Sequence, residues 1–408
     1  MGLKSRLNIT YAAVQAIFWV VCCPIAGFGS AHLLAVGFSS VDVGVMLGLA
    51  NVLAVVVQPL LSERADADER FSPIRIVAVL TVAMLASSAA QAALMPGGPV
   101  MAVLWTFSAT CSISANVFVT AVKYQLDQDR SIDFGACRAV GSLAWAATSS
   151  SLGFAVERFG IRIVPLAVCA ASIAFLALLG ACELDVRGRG ARGFHEAVET
   201  AGAASSWPEF IRENRWLMLL LLGIGLVYLH HALGSYFSIV IVENVGGDES
   251  DMGLIIALAA LLEIPGMVLF SHIEKRLDAG SVLLFSLTMF ACKAIAIWAA
   301  STVLQLTFAY SFQLFSYGLF TTSSVSFAAR VTRPSDLVKA QACFSLVTTA
   351  SAVFSSFVGG ALFQMLGVRS TLLTAAVSAG VGLAIVLFSL PRIASSRERR
   401  GWVAEALH

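Results

Sequence analysis

Twelve apolar runs, each long enough for a helix to cross a hydrocarbon core about 30 Å thick, leave this chain few ways to fold. They cover residues 9–36, 41–61, 74–94, 100–122, 134–155 and 163–182, and then 216–242, 253–272, 281–300, 303–328, 338–366 and 371–390. A polar stretch, 183–214, parts them six and six. Inside a bilayer a helix satisfies its own peptide groups, so the expected class is an all-α membrane protein with twelve spans.

Charge placement supports that count. Only 12% of residues are charged, about half the share usual in soluble proteins. Among the 26 Lys and Arg residues, Arg158, Arg162 and Arg369 fall on one side, Arg138 and Lys293 lie within spans, and the remaining 21 share the side of the N-terminus. By the positive-inside rule both ends are cytoplasmic, in an inner, cytoplasmic membrane. Lys4 and Arg6 before the first run resemble a signal-peptide start, but that run is too long for one and reads as a retained helix. The expected organisation is a first six-helix bundle over 1–183, a cytoplasmic linker over 184–213, a second bundle over 214–391, and a tail over 392–408. Residues 207–216 read as a short amphipathic lead into the seventh span.

A net charge of +1 gives no field for nucleic acid. The eight cysteines form no CxxC pair, so free thiols are expected, with no metal and no cofactor. GxSxG, HExxH, Walker and dinucleotide patterns are absent, which argues against an enzyme and against an ATP-driven pump in a single chain.

Function must then come from polar groups inside the spans. A cation facing lipid at mid-depth costs about 3 kcal/mol on insertion scales, so Arg138, Glu263 and Lys293 point to a wet interior. The bland alternative for Arg138 is a rim position from which it snorkels. Trp145 lies two turns beyond Arg138 on the same helical face. His230 and His231 point about 100° apart, so at most one faces a cavity. Pro265 follows Glu263 closely and permits a kink. Asn116, Thr120, Gln313 and Tyr317 are neutral candidates; helix–helix hydrogen bonding explains each equally well.

These residues carry a family resemblance. GVMLGLANVLAVVVQPLLSERAD, from Gly44 to Asp66, is similar to the second helix and following loop of major facilitator permeases. DFGACRAVGSLAW, from Asp133 to Trp145, resembles the fifth-helix start of the lactose-permease and phenylpropionate-permease branch, and LLEIPG, from Leu261 to Gly266, resembles the branch's Glu-x-Pro. The resemblance implies two six-helix bundles with pseudo-twofold symmetry, and alternating access about a central site. It implies substrate binding by Arg138 and Trp145, with Lys293, Gln313, Thr120, Asn116 and Tyr317 beside them. It implies gating at Gln58, Pro59 and Asp66.

The departures bear on mechanism. At the family's fourth-helix glutamate stands Thr120, at its ninth-helix arginine Lys293, and at its tenth-helix histidine and glutamate Gln313 and Ser316. With the usual proton carriers gone, Glu263 is the first substitute, and His230 or His231 the second. Two cations against one anion point to a small carboxylate-bearing or aromatic solute, gripped by the planar fork of Arg138. The expected function is proton-coupled uptake of such a solute by a single chain in the lipid bilayer. A sugar or nucleoside permease, an uncoupled facilitator, and a non-transporting sensor on the same fold stay open.

Overall fold

A computed structural model of the chain describes residues 3–67, 71–94, 98–126, 132–188, 206–273, 276–333 and 336–398. Among these residues the fold is helical, with no strand. The first predicted run forms α1 (Leu3–Ala26) and a short α2 (Gly29–Ala35). There follow α3 (Ser40–Ala67), α4 (Pro73–Leu94), α5 (Gly98–Leu126), α6 (Phe134–Phe159) and α7 (Ile163–Gly188). The short α8 (Trp207–Glu213) precedes α9 (Arg215–Tyr236), α10 (Ser238–Glu243), α11 (Glu249–Ile273) and α12 (Ala279–Ala299). The tenth run is split into α13 (Val303–Ser311) and α14 (Tyr317–Val331), and α15 (Leu337–Glu398) contains the last two runs, separated at Gly367.

Local chemistry sets several of these boundaries. Asp133 caps α6 by accepting from the Ala136 amide at 3.1 Å, and Asp278 caps α12 by accepting from Gly280 at 2.8 Å. Thr302 does the same for α13. Gly367 divides α15 because it adopts a φ of 77°, a conformation open to glycine at little cost.

Nine helices among the described residues are long and apolar enough to cross a membrane. Their outer faces are greasy: Met365 is 79% exposed and Val103 68%. Apolar surface on that scale belongs against acyl chains rather than water.

The tenth run departs from the continuous helix predicted for 303–328. A 3-10 turn at Phe312–Leu314 follows α13, and Ser316, with ψ at −84°, leaves helical geometry before α14 resumes. Neither Pro nor Gly lies between residues 303 and 317. The break instead carries two buried polar residues, Gln313 and Ser316.

The described residues fall into two compact units. The first holds 3–188, 235–261 and 356–364. Inside it, α3 meets α15 at Gly44 and Gly360, and α6 meets α11 at Gly153 and Gly253. A Cβ on Gly153 would lie 2.7 Å from the Glu249 carbonyl oxygen, and one on Gly253 would strike the Ser149 carbonyl. Backbone touches backbone at both crossings, so only hydrogen fits. Arg75 pairs with Glu183 at 2.7 Å, and Arg6 with Asp185 at 3.2 Å.

The second unit holds 206–234, 262–355 and 365–398. Its core gathers Phe210, Leu220, Ile224, Leu287, Phe290 and Phe320 among others. Glycine crossings recur here between α9 and α15, at Gly223 and Gly382, and between α11 and α14, at Gly266 and Gly318.

Candidate functional site

In the first unit the site is built on the start of α6. Arg138 lies just over a turn beyond the Asp133 cap and is half-buried. Its guanidinium carbon sits 4.4 Å from the centre of the Trp19 ring, and its Nη1 donates to the Ser142 hydroxyl at 2.9 Å. Trp19 is held in turn: its indole N–H donates to Gln15 Oε1 at 3.3 Å, and the Gln15 amide donates to the Tyr11 hydroxyl at 2.8 Å. Gly141 makes the contact possible, since a Cβ there would come within 2.5 Å of the indole. Trp145 meets Trp19 edge to face, centroids 5.6 Å apart, and packs by its other side on Ala146, Ala257 and Ala260. No carboxylate pairs with Arg138 among the described residues.

The remaining candidates of this unit stand apart from that cluster. Asn116 and Thr120 are exposed on α5, where Thr120 donates to the Asn116 carbonyl at 3.3 Å. Gln58, half-buried on α3, donates to the Ile113 carbonyl on α5 at 3.2 Å. Pro59 is exposed beside it. For Asp66 the structure describes only the helical backbone, in the last turn of α3.

The second unit joins three of the candidates in one chain of hydrogen bonds. Lys293 on α12 is 3% exposed, and its Nζ donates to Gln313 Oε1 at 2.5 Å. The Gln313 amide nitrogen donates to Glu263 Oε1 on α11 at 2.7 Å. Lys293 also lies 4.6 Å from the centre of the Tyr310 ring. The break in the tenth run presents Gln313 to both charges. Gly266 and Gly318, packed backbone to backbone, bring α11 within reach.

The two histidines differ. His230 is 2% exposed, and its Nε2 has no hydrogen-bond partner among the described residues. His231 stacks on Tyr317 with centroids 4.7 Å apart, and meets Tyr228 and Phe290 edge-on.

Sequence reasoning missed Trp19 and Ser142. Ser142 had a signal, since it lies four residues from Arg138 on the same helix. Trp19 had none, because only the docking of α1 on α6 brings it there. For metal the chain offers little: no group of three His, Cys, Asp or Glu side chains is placed to hold an ion among the described residues.

An all-helical bundle with greasy faces, charged side chains inside its spans and an interrupted helix beside them defines a multi-pass membrane transporter of the major facilitator type. The chain belongs to the MFS_1 like family, whose profile matches residues 9–374. Its fold is similar to that of the nucleoside transporter NupG, at a TM-score of 0.72 and 15% identity, with 96% of this chain and 99% of that chain covered. It is similar to a variant of the peptide transporter POT in complex with alafosfalin, at 0.74 and 11%, covering 95% of each chain. A bacterial homolog of the human lysosomal transporter Spinster superposes at 0.68 and 11%, covering 97% of this chain and 98% of that one. No curated protein sequence matches the chain significantly.

Proposed function

We propose that this transporter takes up a small carboxylate-bearing organic solute across the cytoplasmic membrane by alternating access, with both chain ends inside, and couples uptake to protons. The observation that carries the proposal is Arg138. Lys293 is balanced by Glu263 through Gln313, whereas the Arg138 guanidinium has an aromatic face and a hydroxyl but no carboxylate among the described residues. A solute carboxylate supplies what is missing, held bidentately by the planar fork.

The Glu263–Gln313–Lys293 chain supports coupling. Protonating Glu263 removes the anion that offsets Lys293, so the interior gains one positive charge and attracts an anionic solute more strongly. Losing that proton on the inner side restores the balance and favours release.

The test is uptake of labelled aromatic acids, sugars and nucleosides into vesicles under an imposed pH gradient. Uptake of an acid that Arg138→Gln abolishes and Arg138→Lys partly restores is the expected result. Acid uptake indifferent to both changes overturns the carboxylate assignment. Glu263→Gln should keep solute counterflow while losing uphill accumulation; unchanged accumulation removes Glu263 from the coupling step.

A further inference from the structure

The second unit contains a cavity of about 270 Å³ between α9, α14 and α15. Among the described residues its walls carry no charged side chain. Four of the lining residues are aromatic: Tyr228, Tyr317, Phe320 and Phe344. These rings are braced, Tyr228 against Phe320 at 6.0 Å and Tyr317 against His231 at 4.7 Å. Among them stand the hydroxyls of Thr321, Ser324 and Thr348 and the amide of Gln341.

We propose that this cavity binds an uncharged aromatic or heteroaromatic ring that carries N–H or O–H donors. The aromatic rings offer faces and edges to a flat partner. The hydroxyls set the polarity of the partner. Thr321 donates to the Gly318 carbonyl, Ser324 to the Thr321 carbonyl and Thr348 to the Ser345 carbonyl. With those protons turned to their own helices, the hydroxyl lone pairs can accept from a ligand N–H or O–H, and the Tyr228 and Tyr317 phenols and the Gln341 amide line the same space. The lining gives a carboxylate no cation to replace its water, which favours an uncharged ring. The inference rests on the proposed function in one respect: it takes this ring to be the uncharged part of the transported solute.

The test uses the purified full-length protein in nanodiscs and three uncharged probes: 4-hydroxybenzyl alcohol, uridine and cyclohexanemethanol. Saturable thermal stabilisation by a ring probe and none by the cyclohexyl compound is the expected result. Ser345→Trp places an indole in the cavity from an exposed lining position, and Thr348→Tyr fills it from a half-buried one. Either variant, folded by circular dichroism, should weaken ring binding at least tenfold, while Gly180→Ala, with open space around the new methyl, leaves it unchanged. Absence of ring binding, equal binding of the cyclohexyl probe, or ring binding that survives both filling variants overturns the inference. Ring binding alongside acid uptake indifferent to Arg138 would sink the carboxylate assignment and leave the ring site standing.

Discussion

Lys293 and Glu263 hold one another through a single amide: Gln313 accepts from the ammonium with its carbonyl oxygen and donates to the carboxylate with its nitrogen. An amide in this place reads both charges correctly and adds none of its own. Methionine at 313 keeps the volume but removes both bonds. Hydrogen bonds to charged groups contribute about 1.5–3 kcal/mol each, so Gln313→Met should lower the melting temperature clearly.

Double substitution separates balance from bonding. Lys293→Met alone strands the half-buried Glu263 carboxylate, so the loss should fall short of the roughly 3–5 kcal/mol of a fully buried pair. Lys293→Met combined with Glu263→Gln removes both charges and should recover most of that loss. A double variant as unstable as the sum of its singles would show that the two charges act independently.

Arg138 depends on Trp19. The 4.4 Å approach to the indole contributes about 0.5–2 kcal/mol, depending on how far the site is desolvated. Trp19→Leu should raise the KM for a transported acid several-fold, with Trp19→Phe in between and kcat less affected. Equal KM values across the series would show that the stack does not position the guanidinium.

His230 makes a prediction of opposite sign. A buried ring nitrogen without a partner costs about 1–3 kcal/mol, so His230→Leu should melt at or above the parent temperature. A lower melting temperature, with uptake lost, would mean that Nε2 meets a solute or a proton during the cycle. At His231 the flat ring itself is what Tyr317 stacks on, so His231→Phe should be tolerated better than His231→Leu.

The glycine crossings can be probed without a substrate. Alanine at Gly253 drives a methyl group into the Ser149 carbonyl, and backbone cannot swing aside as a side chain can. Overpacking of this kind costs about 1–3 kcal/mol, to be read as a lower melting temperature for Gly253→Ala. Gly180→Ala, where nothing lies within reach of the new methyl, should melt like the parent.

The helical spans were legible because the bilayer allows one answer to a long apolar run. The buried charges were legible because burial is costly enough to demand a reason. Asp133 and Asp278 cap their helices through short-range contacts in the structure, a local signal that the apolar pattern does not carry. Trp19 and Gln313 did not announce their roles. The first needs α1 to dock on α6, and the second needs two charges on other helices to converge. The interruption at 312–316 was hidden for the same reason: every residue in it is acceptable in a helix, and only its polar partners in the folded unit draw it out.

That interruption has a mechanical consequence. With α13 ending at Ser311 and α14 beginning at Tyr317, the tenth run is two short levers with a fulcrum between them, rather than one stiff rod. A tilt of α14 about that fulcrum need break no further main-chain bond. It would carry Tyr317, Thr321 and Ser324 with it as one rigid piece, while α13 stays capped by Thr302 at its far end.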